Sequence, residues 1–321
     1  MIPLARIGAL SRNLLGALFS APESGRSLAL LRIGIGIALL AKLCLEFRSI
    51  LTLYGELGLI QWEVAAITAH DHLPDLRLLA SIFSRFGINA NTSVYIVFAI
   101  YAFSLICLIL GFLTRLSAAV AWICLLAACA TAMASAYGVD AFGIIGLFYC
   151  VVMPVSSCWA LTPQRIGTAP WATSLSIRFV QLHLCVVYLA SGYFKMRGSQ
   201  WWTGEAMWRV LRMPEFRQYD LGWLSNVPLV FVGMSWFTLL IETGYPLMIW
   251  HRTIGRAWFI CIIMMHAGIA IFMGLWVFSA AMIVLNVSAF YLYHFGSLRL
   301  NRDPLPFGRL LKWSPGRNRR D

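Results

Sequence analysis

The stretch Arg178–Glu205, RFVQLHLCVVYLASGYFKMRGSQWWTGE, decides how this chain is read. It opens on a basic residue, continues as an apolar run long enough to cross a bilayer, and reaches Lys195 before a turn rich in Gly, Trp and Thr. In steps of three and four residues, Arg178, Gln181, Cys185, Tyr188, Gly192 and Lys195 fall on one face of a helix. Hydrocarbon cannot satisfy such a stripe, so it must look into protein or water.

The rest of the chain repeats the pattern. Of 321 residues, 60% are hydrophobic and only 12% charged, against about 25% charged in soluble domains. The reading is an all-α integral membrane protein with about eight transmembrane helices plus interfacial amphipathic helices. The spans fall near 28–47, 93–113, 116–137, 140–154, 175–195, 228–250, 254–273 and 276–294. Residues 1–26, with Leu4, Ile7, Leu14, Leu18 and Phe19, read as an amphipathic cytoplasmic segment, 27–298 as the transmembrane domain, and 299–321 as a basic cytoplasmic tail.

Fourteen Lys and Arg residues then fall on the side of the termini and seven on the other, with four inside helices. Both termini are therefore expected in the cytoplasm. Two long connections on the opposite side carry short amphipathic patterns: Leu76, Leu79, Ala80 and Phe83 in one, Met207, Val210 and Leu211 in the other. Thr203 is the expected cap of the second helix, with Glu205 in its first turn, and together the two helices would roof an outward-opening cavity.

A net charge of +12 would suggest nucleic acid in a soluble protein. In this chain it reads as an orientation signal and as attraction to anionic headgroups of the lipid bilayer, with no nucleic-acid partner. The eight cysteines lie mostly inside apolar runs and form no CxxC, which suits small packing residues. His70-Asp71-His72 resembles a metal fragment but lacks a third ligand, so no metal is expected. No Walker loop, dinucleotide-binding glycine pattern or GxSxG occurs, which leaves nucleotide-driven transport and serine hydrolysis without support.

Three sets of polar residues carry the candidate chemistry. Lys195 follows Arg178 by seventeen residues, about 25 Å along a helix, so the two sit near opposite surfaces. Both can simply snorkel to headgroups; alternatively Lys195, desolvated beside Tyr188, is a general base. Glu242 and His266 each lie twelve residues from Ile254 at the turn of a helical hairpin, at equal depth in the hydrocarbon, and a Glu242–His266 contact is expected. Asn286 reaches similar depth, and such residues serve either as interhelical glue or as a site. Lys42 and Glu46 form an i, i+4 pair, and Asp140 is placed to cap a helix.

Several short motifs, in order, resemble the HTTM family, the membrane domain shared with vitamin K-dependent gamma-carboxylase. They are Leu31-Arg32-Ile33-Gly34, Tyr54-Gly55-Glu56-Leu57-Gly58, Gly138-Val139-Asp140, Tyr188-Leu189-Ala190-Ser191-Gly192-Tyr193-Phe194-Lys195, Trp202-Thr203-Gly204, Glu242-Thr243-Gly244-Tyr245-Pro246, and His266 with Met273-Gly274-Leu275. The resemblance implies a helical bundle around a bound quinol, vitamin K-like or another membrane quinone. It implies Lys195 as the base, Glu242 and His266 as further catalytic groups, and Tyr188, Trp202, Gly204 and Asn286 as cofactor contacts. Where the carboxylase continues into a large extramembrane portion, about 23 residues follow the expected transmembrane domain, so carboxylation of peptide glutamate is not the expected reaction. In size it is similar to stand-alone bacterial members of the sporulation-delaying-protein B type, which implies modification or maturation of a small secreted peptide or small substrate on the outer face. The rival expectation is a non-enzymatic membrane protein: a small-solute transporter, or an assembly or immunity factor.

Overall fold

A computed structural model describes residues 25–68, 74–163 and 170–296. The N-terminal segment to residue 24, the His70-Asp71-His72 fragment, Arg165 and the basic tail lie outside these. Among the described residues the chain is helical, with no strand. Helix α1 (Arg26–Glu46) runs through a tight turn into α2 (Ile50–Tyr54). Helices α3 (Trp62–Thr68) and α4 (Leu76–Ser84) fill the first long connection, and α5 (Ala90–Leu110), α6 (Thr114–Thr131) and α7 (Gly138–Val152) follow. Helix α8 (Pro170–Met196) carries the polar stripe from Arg178 to Lys195. The second long connection holds α9 (Ser199–Trp202) and α10 (Glu205–Arg212). Then come α11 (Leu229–Met248), α12 (Ile254–Met273) and α13 (Trp276–Asn286), which passes through a π turn at Val287–Tyr291 into α14 (Leu292–Phe295).

Six of these helical stretches are long and apolar enough to cross a membrane: Arg26–Tyr54, Ala90–Leu110, Thr114–Thr131, Trp171–Met196, Ile254–Met273 and Trp276–Phe295. The other two expected spans are also helices. Helix α7 is apolar but 15 residues long, and α11 has 20 residues, diluted by Glu242, Tyr245 and Pro246. The protein is an all-α membrane protein.

The helices pack as two halves, α1 with α5, α6 and α7, and α8 with α11, α12 and α13. Helix α1 joins them by also packing on α13 and its π turn. Its buried positions, Leu28, Leu31, Arg32, Ile35, Ala38, Leu39 and Lys42, keep the three-and-four spacing of a single helix face. At the end where α1 starts, Arg32 is fully buried and donates to four backbone carbonyls: Leu108, Ile109 (2.7 Å), Val155 (3.2 Å) and Trp159 (2.5 Å). Those of Leu108 and Ile109 belong to the last turn of α5, where the carbonyls outrun the intrahelical donors and only the Gly111 N–H returns to Leu108, at 3.0 Å. A guanidinium with five donors suits that task, so Arg32 holds α1, the end of α5 and the segment after α7 together.

At the opposite end, α4 and α10 are present as expected, but they cap different halves instead of forming one roof. Helix α4 packs on α5 and α6, and α10 packs on α9, α11 and α12. Asp75 caps α4, accepting from the Leu78 N–H at 2.6 Å. The cap expected from Thr203 is instead supplied by Gly204, at φ +82°. A Cβ there would lie 2.5 Å from Val232 N and 2.8 Å from Phe231 C, so glycine serves both the left-handed backbone and the approach to α11. Glu205 stands in the first turn as expected, paired with Arg209 at 2.6 Å on the exposed surface.

Candidate functional site

The polar stripe of α8 faces inward along its whole length. Near the start of the helix, the Arg178 guanidinium lies 5.7 Å from the ring centres of both Trp250 and Tyr293 and donates to Gln181 Oε1 at 2.8 Å. Gln181 Nε2 donates to the Ala289 carbonyl at 2.7 Å, inside the π turn that follows Asn286. The opposite side of α8 presents Phe179, Leu182, Val186, Leu189 and Tyr193 outward, as a lipid-facing side requires.

Near the far end of α8, Lys195 Nζ donates to both carboxylate oxygens of Glu242 at 2.6 Å and to Ser191 Oγ at 2.8 Å. Its side chain is 23% exposed and that of Glu242 6%. The Trp201 ring centre lies 5.3 Å from Nζ, a cation–π distance. Gly192 makes this pair possible: a Cβ there would sit 2.6 Å from Thr243 Cγ2 and 3.0 Å from Thr243 N, so only glycine lets α8 and α11 approach this closely.

A second network lies alongside, one helical turn and more below Lys195. Tyr188 Oη is 2.8 Å from His266 Nε2 and accepts from Asn286 Nδ2 at 2.8 Å. Asn286 Oδ1 accepts from the Tyr245 hydroxyl at 2.7 Å, and its Nδ2 also donates to the Met282 carbonyl at 2.9 Å. All four side chains are buried, and the Tyr188 and Tyr245 rings lie 4.3 Å apart.

The expected Glu242–His266 contact is therefore replaced by two others: Glu242 is held by Lys195, and His266 Nε2 by Tyr188. Counting from the hairpin turn fixes depth along a helix but not rotation about its axis, at about 100° per residue. Lys195 itself is not isolated: Nζ reaches both Glu242 oxygens and Ser191 Oγ, three acceptors for the three donors an ammonium carries. Any proton that Lys195 exchanges is exchanged beside Glu242, so the chemical unit is the pair.

Of the aromatic residues in the turn, Trp201 and not Trp202 faces Lys195. Trp202 is 49% exposed, and its indole donates to the Met196 carbonyl at 2.8 Å, closing the end of α8. Gly204 serves the backbone packing described above. Sequence reasoning gave no role at this site to Tyr245, Ser191 or Trp201. The first two lie three or four residues from Glu242 and Lys195 and so share their faces, which is the signal that could have found them.

Four buried polar atoms in this half of the bundle have no protein partner among the described residues: Ser235 Oγ on α11, His266 Nδ1 on α12, Ser279 Oγ on α13 and His294 Nε2 on α14. Buried polar atoms are nearly always satisfied, so these are positions where a water or a polar ligand atom would complete the bonding. A separate groove of about 580 Å³ runs between α1 and α13, lined by Gly34, Ala38, Ala41, Val277, Ala280 and Val284 among others. Its walls are almost wholly apolar and include none of the site residues. Comparison with family models, with curated proteins and with solved structures finds no match to this chain.

Proposed function

We propose that this chain is a membrane enzyme similar to the HTTM family, set in a bacterial inner membrane with both termini cytoplasmic. It uses a bound quinol to modify or help mature a peptide or small substrate on the outer face. The observation that carries this reading is the Lys195–Glu242 pair, held at 2.6 Å inside a membrane bundle with the lysine still partly open. An intramembrane ion pair costs several kcal/mol to desolvate, which makes a functional origin the default for such residues.

The donor set suits a ring bearing hydroxyl or carbonyl oxygens, with Lys195 and Glu242 to exchange a proton, the His266 side chain close to the same helices, and Trp201 as an aromatic wall. A bound quinol would supply an ionisable hydroxyl and reducing electrons. Lys195, with Glu242 to take up its own proton, would be the residue to receive a proton from a bound hydroxyl, and its positive charge would favour the oxyanion formed there. Tyr188 fixes the depth of the site through His266 and Asn286.

The test uses purified protein in lipid nanodiscs with vitamin K hydroquinone and oxygen. Hydroquinone-dependent oxygen uptake should appear in the wild type and fall about 10²-fold or more in Lys195→Ala, the usual contribution of a positioned base. No uptake in the wild type, or uptake unchanged in the variant, would refute the reading. One observation favours transport instead: the last span is broken by a π turn directly after Asn286, and interrupted helices line many transport sites. Solute flux into proteoliposomes, lost in Asn286→Leu, would establish that rival.

A further inference from the structure

Within the Tyr188 network every hydrogen-bonding group is committed except His266 Nδ1. The direction of the chain can be worked out from donors and acceptors. The Met282 carbonyl can only accept, so the Asn286 atom facing it must be the amide nitrogen. That orientation agrees with the Tyr245 hydroxyl donating to Oδ1. The same amide nitrogen donates to Tyr188 Oη, which leaves the Tyr188 proton free to point at His266 Nε2. The reverse arrangement, with Nε2–H donating to Tyr188, would bury two unsatisfied groups, the Tyr188 hydroxyl proton and the Nδ1 lone pair. The arrangement described leaves one, so it is favoured.

We propose that Asn286, locked by Tyr245 and Met282, is a positioning residue that holds His266 as the neutral Nδ1–H tautomer. His266 thereby becomes a fixed hydrogen-bond donor toward an acceptor oxygen, and its Nε2 is not available as a base. Its assignment to the reacting centre rests on the reading above; the tautomer does not.

The test is ¹⁵N NMR of histidine-labelled full-length protein in nanodiscs, with His266→Gln to assign the resonances. The wild type should show a single neutral ring protonated at Nδ1. Asn286→Leu removes the donor to Tyr188 Oη, so both tautomers should become populated. Asn286→Asp offers a carboxylate that accepts the Tyr188 hydroxyl proton, so His266 should invert to Nε2–H. An Nε2–H or doubly protonated ring in the wild type, or an Asn286→Leu spectrum identical to it, would overturn the proposal. If Asn286→Asp does not fold, Asn286→Leu carries the test alone. Because these spectra need no substrate, failure of the Lys195 reading shows in oxygen uptake and failure of this one in the tautomer.

Discussion

Each half of the bundle buries one lysine near the end where α8 finishes, and the two are bound differently. Lys42 on α1 sits 2.9 Å from both Glu46 Oε1 and Asp140 Oδ1, with the Tyr54 hydroxyl at 3.4 Å. Asp140 is bound twice, since its other oxygen accepts from the Tyr137 N–H at 3.0 Å and so closes the start of α7. The side chains of Lys42 and Asp140 are 7% and 4% exposed, and that of Glu46 21%. Lys195 has a single carboxylate and remains three times as open as Lys42. A buried cation shared by two carboxylates is a staple between helices; a single, shorter pair whose cation is left partly open is where a proton could be exchanged with a ligand.

The largest expected effect tests the staple. Lys42→Met leaves two carboxylates without their cation, and removing one partner from a buried ion cluster costs about 3–5 kcal/mol. Thermal unfolding in detergent should drop sharply, or the protein should fail to accumulate. Lys195→Met should cost less, about 1–3 kcal/mol, because one carboxylate can take up a single proton and become neutral. If Lys42→Met unfolds like the wild type, the comparison fails.

Function should divide the other way. Adding Glu242→Gln to Lys195→Met removes the orphaned charge, so the double variant should regain stability while hydroquinone-dependent oxygen uptake stays about 10²-fold down. Glu46→Gln, in the staple, should leave uptake within a factor of a few of the wild type. Uptake restored together with stability would make the Lys195–Glu242 pair a second staple.

Much of this was legible in the sequence, and what was missed has a common cause. The stripe on α8 follows from spacing alone, because one helix fixes its own faces. The Lys42–Glu46 pair was readable for the same reason. Asp140 was read as a cap, which it is, but its bond to Lys42 joins two helices more than ninety residues apart in the chain. Glu242 and His266 had the right depth and the wrong partners, since rotation about a helix axis is set by packing. Gly192 illustrates this: it appeared as one more member of a stripe, yet it sets how near α11 comes and so which side chain Glu242 meets.

That approach gives a prediction of intermediate size. Gly192→Ala places a methyl group 3.0 Å from the Thr243 backbone nitrogen, which cannot move without shifting α11. Overpacking of this kind costs about 1–3 kcal/mol and should loosen the Lys195–Glu242 contact, so uptake should fall with stability. In the other half, Gly143→Ala meets the Leu39 and Leu125 side-chain ends at 2.6 and 3.2 Å. These are tips that can rotate, so the loss should be smaller when both variants are compared by thermal unfolding. Equal losses would mean that the two halves are packed to the same tolerance.

The smallest effects separate the two tyrosines. Tyr54 donates to Glu46 Oε2 at 3.0 Å, an oxygen that Lys42 also reaches at 3.0 Å, so Tyr54→Phe leaves the acceptor satisfied. Tyr245 is the donor to Asn286 Oδ1, and Tyr245→Phe leaves that oxygen bare in a fully buried site. Removing one hydrogen bond costs about 0.5–1.5 kcal/mol, and an unsatisfied buried acceptor places Tyr245→Phe at or above the upper end of that range. Since Met282 still orients the Asn286 amide, the His266 tautomer should survive Tyr245→Phe and change only in Asn286→Leu. Loss of the Nδ1–H form in Tyr245→Phe would move the lock from the Met282 carbonyl to the tyrosine.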